Sequence, residues 1–212
     1  MARRLAFALT ALALGWAIAA PAPPGVREAE RVPVKGRPRA LAPLLEVASG
    51  LDDAGKLLAV NRFVNERIRF RDDIEVWGES DHWASPLELL ARGEGDCEDF
   101  AIAKYFSLLA LGIPRSQLRL VYVQVRPADP SASPQAHMVL AHYAAPNAEP
   151  SILDNLATGV LPAAWRDDLT PVFSFNAEGM WQGLGAQTAG DPMARLSRWR
   201  AVLAQAHAEG FS

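Results

Sequence analysis

Helical patterning comes first in this chain and strand patterning second, and that order limits the folds open to it. Across residues 51–70, Leu57, Val60, Phe63, Val64 and Ile68 recur at helical spacing, with Lys56, Arg62, Glu66 and Arg69 between them. Asp52 and Asp53 stand where an N-cap belongs. A loop carrying Trp77, Gly78 and Trp83 follows. Ser85-Pro86 then opens a short helix over 87–91, with the serine as cap and the proline in the first turn. Gly93-Glu94-Gly95 breaks that helix. Residues 100–111 read as another, ended by Gly112-Ile113-Pro114. Beyond this point the apolar residues gather in strand-like runs at 118–125, 137–143, 151–153 and 172–175, with a Pro/Ser/Asp loop over 126–136. A glycine turn and Met180-Trp181 come next. Asp191-Pro192 starts a last helix, whose Met193, Leu196, Trp199 and Leu203 make one apolar face. No internal repeat is visible. The order predicts an α+β fold rather than alternating parallel units.

The first nineteen residues do not read as part of that fold. Arg3 and Arg4 precede an apolar stretch, Ala17-Ile18-Ala19 has the small-x-small form of a cleavage site, and prolines follow. This is the layout of a secretory signal peptide, too short and wrongly flanked for a bilayer span. It leaves general secretion and twin-arginine export both open, and predicts a mature protein that is secreted or periplasmic. Residues 20–50 are rich in Pro and Arg and read as an N-terminal arm, and 51–212 as a single domain. Losing the leader would lower Lys plus Arg from 21 to 19 against 24 Asp plus Glu, so charge gives no argument for nucleic acid. Half of the chain is hydrophobic, enough for a real core.

One cysteine, Cys97, stands alone in a chain bound for an oxidising compartment, so it forms no internal disulfide. It is either a buried inert thiol or a nucleophile. Its place at a helix N-terminus, after Gly95-Asp96, offers backbone N–H groups and a dipole that favour a thiolate and could hold an oxyanion. Asp96, Glu98 and Asp99 push the other way, because negative charge beside a thiol raises its pKa. Acids in a first helical turn suit the dipole, and that alone accounts for them. Alternatively they form a hard-oxygen cluster fit for Ca²⁺. A thiol nucleophile also needs a base and an orienter. Of four histidines, His82 sits in a loop and His207 on the surface of the last helix. His137 and His142 share a strand on opposite faces. His137 opens that strand, and Asp154 ends the next one, so the two are candidates for neighbours. A thiol on a helix, a His on a strand and an Asp on the following strand is the layout of papain-like and transglutaminase-like cores, with a helical N-terminal lobe packed on an antiparallel sheet. Trp165, Trp181 and Trp199 read as packing residues; Trp77 and Trp83 line either the core or a substrate cleft.

The runs Trp83-Ala84-Ser85-Pro86-Leu87-Glu88 and Gly95-Asp96-Cys97-Glu98-Asp99-Phe100-Ala101-Ile102-Ala103-Lys104-Tyr105 resemble the bacterial transglutaminase-like cysteine proteases of the LapG type. The likeness continues through His137-Met138-Val139-Leu140, Ile152-Leu153-Asp154-Asn155-Leu156 and Pro171-Val172-Phe173-Ser174-Phe175-Asn176, and so spans roughly residues 50–182. The resemblance implies a catalytic triad of Cys97, His137 and Asp154, and calcium ligands at Asp96, Glu98 and Asp99. It implies a periplasmic protease that cuts the N-terminal region of a large surface adhesin and so disperses biofilm. It also implies sequestration by an inner-membrane receptor that senses cyclic di-GMP. Two other functions share these residues: acyl transfer to an amine, as in a transglutaminase or amidase, and a non-catalytic calcium-binding module.

Overall fold

Among the described residues there are seven helices and nine strands: five helices and a two-stranded pair precede a seven-stranded sheet, and the last two helices follow it. The computed structural model describes residues 39–129 and 131–211. The expected signal peptide and most of the 20–50 arm lie outside the described residues, which all fall in one compact unit. The described chain begins with a 3-10 turn, Arg39–Leu41, and helix α1, Ala42–Ala48. This corrects the reading of 20–50 as an arm throughout. Leu41, Leu44, Leu45 and Ala48 are buried in the main core. Their helical spacing is real but covers only two turns, too short to stand out beside the prolines.

Helix α2, Asp53–Arg67, is capped by Asp52, whose side chain accepts from the Gly55 N–H at 2.8 Å. It ends earlier than its periodicity predicts. Arg69–Phe70 instead forms strand β1, paired in parallel with β2, Glu94–Gly95. A short helix α3, Asp73–Val76, follows in what the sequence presents as loop. Helix α4, Pro86–Arg92, starts at a complete capping box of Ser85 and Glu88, and Gly93 closes it with φ of 73°. Helix α5, Cys97–Ala110, is buried over every residue from Glu98 on. A helix enclosed on all sides must sit between layers. α5 packs against α2 and α4 on one side and against the sheet on the other.

That sheet is antiparallel throughout. Its strands are β3, Leu118–Val125; β4, Gln135–His142; β5, Ser151–Leu153; β6, Leu161–Pro162; β7, Leu169–Phe175; β8, Met180–Gln182; and β9, Thr188–Gly190, in the spatial order β6-β5-β4-β3-β7-β8-β9. β3 and β5 match their predicted bounds. β6 and β9 escape sequence reading because two or three residues carry no period. Met138, Leu140 and Leu153 face α5 within the main core, while Val121, Val139 and Ile152 form a second cluster on the other side. The predicted last helix is broken at Leu196 into α6, Pro192–Arg195, and α7, Ser197–Ala208. Its apolar face still docks. Trp199 is fully buried against Tyr105, Phe106 and Phe175, and its indole N–H donates to the Asn176 carbonyl at 3.2 Å. Among the described residues no helix is long and apolar enough to cross a membrane.

Candidate active site and cation cluster

Cys97 is the first residue of α5, and Gly95 and Asp96 bring the chain to it through a close approach. A Cβ on Gly95 would lie 2.5 Å from Asp99 Oδ2 and 2.6 Å from Leu89 Cδ1, so only glycine fits. α5 packs on β4, and the Met138 backbone amide lies near the Cys97 sulfur, one residue from His137. The helical layer therefore delivers the thiol to the strand that carries the histidine.

His137 and Asp154 meet as the sequence predicts. β4 and β5 pair through Leu140 and Leu153, which leaves both side chains at the same end of the two strands. His137 Nε2 is 2.7 Å from Asp154 Oδ1, and both residues are buried. An ionised Asp154 accepts there, so Nε2 carries the proton and Nδ1 remains free to take one. The Leu156 N–H donates to the same Oδ1 at 3.0 Å, and Arg166 donates to Oδ2 at 2.7 Å. Burial alone would raise the carboxyl's pKa. The His137 hydrogen bond and charge, the Leu156 amide and Arg166 outweigh burial and hold it well below the usual carboxylate range. Asn65 of α2 donates to the Asp154 carbonyl at 2.9 Å, which fixes the backbone of this loop from the helical side. His142, the other histidine of β4, is buried near the far end of the strand, where burial lowers its pKa. His207 is exposed, as expected.

The thiol itself is partly buried, and its hydrogen bond goes to Glu98 Oε2 at 2.9 Å rather than to His137. Burial first, then the charges of Glu98 and Asp96, push the Cys97 pKa well up, and the Met138 amide only partly offsets them. The carboxylates that flank the thiol are themselves crowded. Asp96, Glu98 and Asp99 are all buried, and Asp73 joins them from α3. Among the described residues, ligand atoms come within 4.8 Å of one another in three sets: Asp96 with Cys97 and Glu98, Asp73 with Asp96 and Asp99, and Asp73 with Asp81 and Glu98. Burial, reinforced by Glu98, Asp73 and Asp99, pushes Asp96 up to about 11. Burial pushes Asp73 up to about 6, against the opposing hydrogen bond from the His82 N–H. Burial likewise raises Asp99, although the Ala84 N–H donates to its Oδ1 at 2.7 Å.

These acids fit a bound calcium ion. Asp73 Oδ1, Asp96 Oδ1 and Asp99 Oδ2 are buried without a hydrogen-bond partner, and every donor except the thiol is a hard oxygen. The three acids singled out in the sequence are thus brought together. Asp73 and Asp81 are additions that sequence reasoning missed, since acids in a polar loop usually face solvent. The His82 N–H closes that loop onto Asp73 Oδ2, and Trp77 stacks on His82 at 4.4 Å. Trp77 packs against the cluster of Val64, Leu89 and Phe100, and Trp83 stacks on Phe175 in the main core. Both tryptophans are packing residues. Arg166 was also missed, since an arginine in a loop carries no signal of its own.

A family described as bacterial transglutaminase-like cysteine proteinases matches residues 42–170. Among solved structures, EGTA-treated LapG of Legionella pneumophila is similar with a TM-score of 0.68 and 40% identity, over 79% of this chain and 86% of that one. The calcium-bound form of Legionella pneumophila LapG gives a TM-score of 0.65 and 41% identity over 78% of this chain and 87% of that one. No curated protein sequence is significantly similar. On the family match and the shared fold together, the chain belongs to the bacterial transglutaminase-like cysteine proteinases.

Proposed function

We propose that the chain is a calcium-dependent cysteine endopeptidase with Cys97 as nucleophile, His137 as general base and Asp154 as its orienter. The observation that carries this reading is the buried His137–Asp154 hydrogen bond of 2.7 Å, set on the strand against which the Cys97 helix packs. His137 takes the thiol proton on Nδ1, because Nε2–H is committed to Asp154. The thiolate attacks the scissile carbonyl, and the N-terminal amides of α5 stabilise the oxyanion. His137 then gives its proton to the leaving amine as the C–N bond breaks and a thioester remains. Water, deprotonated by His137, cleaves the thioester and restores the thiol. Asp154 stays ionised throughout, which favours the imidazolium that forms in both steps.

Calcium held by Asp73, Asp96, Glu98 and Asp99, with Asp81 beside them, would supply positive charge where carboxylates now crowd the thiol. Support for the cation comes from the three unpartnered carboxylate oxygens and from the calcium-bound LapG relative. Residues 1–19 would export the chain to the periplasm. There it would cut the N-terminal region of a large surface adhesin, releasing it and dispersing biofilm, and an inner-membrane cyclic di-GMP receptor would hold it in check. The substrate, the compartment and the receptor rest on the resemblance to LapG-type proteases.

The test is cleavage of a purified N-terminal fragment of the host's largest repeat-rich adhesin by wild type and Cys97→Ala, each with Ca²⁺ or EGTA. A single cut that requires both the thiol and Ca²⁺ is expected. Cutting by Cys97→Ala would remove the nucleophile from the account.

A further inference from the structure

Asp154 is held from two sides, and only one side belongs to the triad. Oδ1 takes the His137 ring, while Oδ2 takes the Arg166 guanidinium at 2.7 Å. Arg166 is itself clamped. Its Nε donates to Asp168 Oδ1 at 2.9 Å, and the nitrogen that reaches Asp154 also donates to Asp168 Oδ2 at 2.8 Å. This paired arrangement fixes the guanidinium plane. Asp168 then anchors the segment by its carbonyl, which accepts the Arg126 N–H at 2.8 Å just past the end of β3. The arginine is buried, and it borders a cavity of about 280 Å³ lined by Val121, Val139, Ile152, Leu169 and Pro171. An ion pair beside such an apolar wall is screened less than one in water.

We infer that Arg166, aligned by Asp168, is a positioning residue for the proposed triad: it fixes the rotamer of Asp154 and so the orientation of His137. The inference rests on the triad reading above. An Asp carboxylate with one partner can rotate about its terminal torsion and present either oxygen, or swing away. With Oδ2 pinned by Arg166 and Oδ1 by the Leu156 amide, only the orientation that serves His137 remains. Geometry of this kind, built from residues that never touch the substrate, sets how well the reacting groups are aligned.

The test uses the reactivity of the single cysteine, which needs no knowledge of the substrate. The rate of Cys97 alkylation by iodoacetamide at pH 7 with Ca²⁺ is measured for wild type, Arg166→Met, Asp154→Asn and the double variant, with folding checked by circular dichroism. The Nε2-bound proton of His137 is followed by NMR in the same proteins. Arg166→Met is expected to slow alkylation ~10-fold, the equivalent of one pKa unit of lost thiolate–imidazolium stabilisation. It is also expected to broaden or move upfield the His137 proton. In the Asp154→Asn background the same substitution should change the rate by less than ~2-fold, because a residue that acts through Asp154 has nothing left to act on. Asp168→Asn, at a partly exposed position, should shift both readouts in the same direction by less, and it serves as the test if Arg166→Met does not fold. Wild-type alkylation in Arg166→Met, or in Asp168→Asn where that variant stands in, overturns the inference. An equal loss with and without Asp154 also overturns it. If Asp154→Asn itself alkylates like wild type, the triad reading fails first and this inference falls with it. If Asp154→Asn is slow while Arg166→Met is not, only this inference fails.

Discussion

At the scale of single residues, the site is a set of charges that the chain has taken out of water, and their pKa shifts fix how stability responds to pH. Asp73 moves from 3.8 in the unfolded chain to about 6 in the fold, Asp96 is pushed up to about 11, and burial raises Asp99 as well. Between those values the metal-free native state binds more protons than the unfolded state, so stability falls as pH rises through that range. Asp154 has the opposite sign, but its contribution is complete above about pH 4 and is lost only in stronger acid. His142, whose pKa is lowered, also opposes, as one group against three. The melting temperature in EGTA is therefore expected to decline from pH 4 to pH 6. A rise would mean that the buried acids ionise freely without a cation. Gly95 supplies a second test. With a Cβ placed 2.5 Å from Asp99 Oδ2 and 2.6 Å from Leu89 Cδ1, Gly95→Ala should cost ~1–3 kcal/mol in urea unfolding. It should also weaken calcium binding in calorimetry. Unchanged affinity would show that Asp99 does not take part.

At the scale of elements, local signals set most boundaries, and tertiary partners set the rest. Ser85 caps α4 and its hydroxyl also donates to Glu209 beyond α7, whose second carboxylate oxygen accepts the Leu87 N–H at 3.1 Å. Ser85→Ala should destabilise the fold by ~1–2 kcal/mol, toward the upper end for a cap because two partners are lost. A loss below ~0.5 kcal/mol in urea unfolding would show that the tie to the C-terminus contributes nothing. The cap was legible in the sequence; the tie was not, because it joins residues 124 positions apart. The same division holds across the site. Cys97, His137 and Asp154 could be picked out as candidates from residue type, helix start and strand order. The acids beside the thiol, which residue type alone explains by the helix dipole, take their calcium reading from the family resemblance. Asp73, Asp81 and Arg166 could not be picked out. Each lies in or beside a loop with no period of its own, and each gains its role from a partner that only the folded chain supplies. The end of α2 follows this rule as well. Its helical pattern runs to Phe70, yet Arg69 and Phe70 pair with Glu94 and Gly95, a parallel contact invisible to local propensity.

At the scale of the whole molecule, the site is a junction. One layer supplies the thiol and the cation cluster, the other supplies the histidine and its aspartate, and α5 lies between them as their common wall. A cation that joins α3 to the start of α5 should therefore stabilise the whole domain. At a free calcium concentration 100 times the dissociation constant, the gain is expected to be ~2.7 kcal/mol, and EGTA should remove it. Equal melting temperatures with Ca²⁺ and EGTA would take the cation out of the structure. The most direct test of the account is whether the two layers act as one nucleophile. The pH dependence of Cys97 alkylation by iodoacetamide, with Ca²⁺ present, should show a reactive thiolate in wild type well below the ~8.5 of a free thiol. In His137→Ala the midpoint should move above that value, since only the buried, acid-crowded thiol remains. The same midpoint in both proteins would mean that His137 does not act on Cys97, and the proposed triad would be wrong.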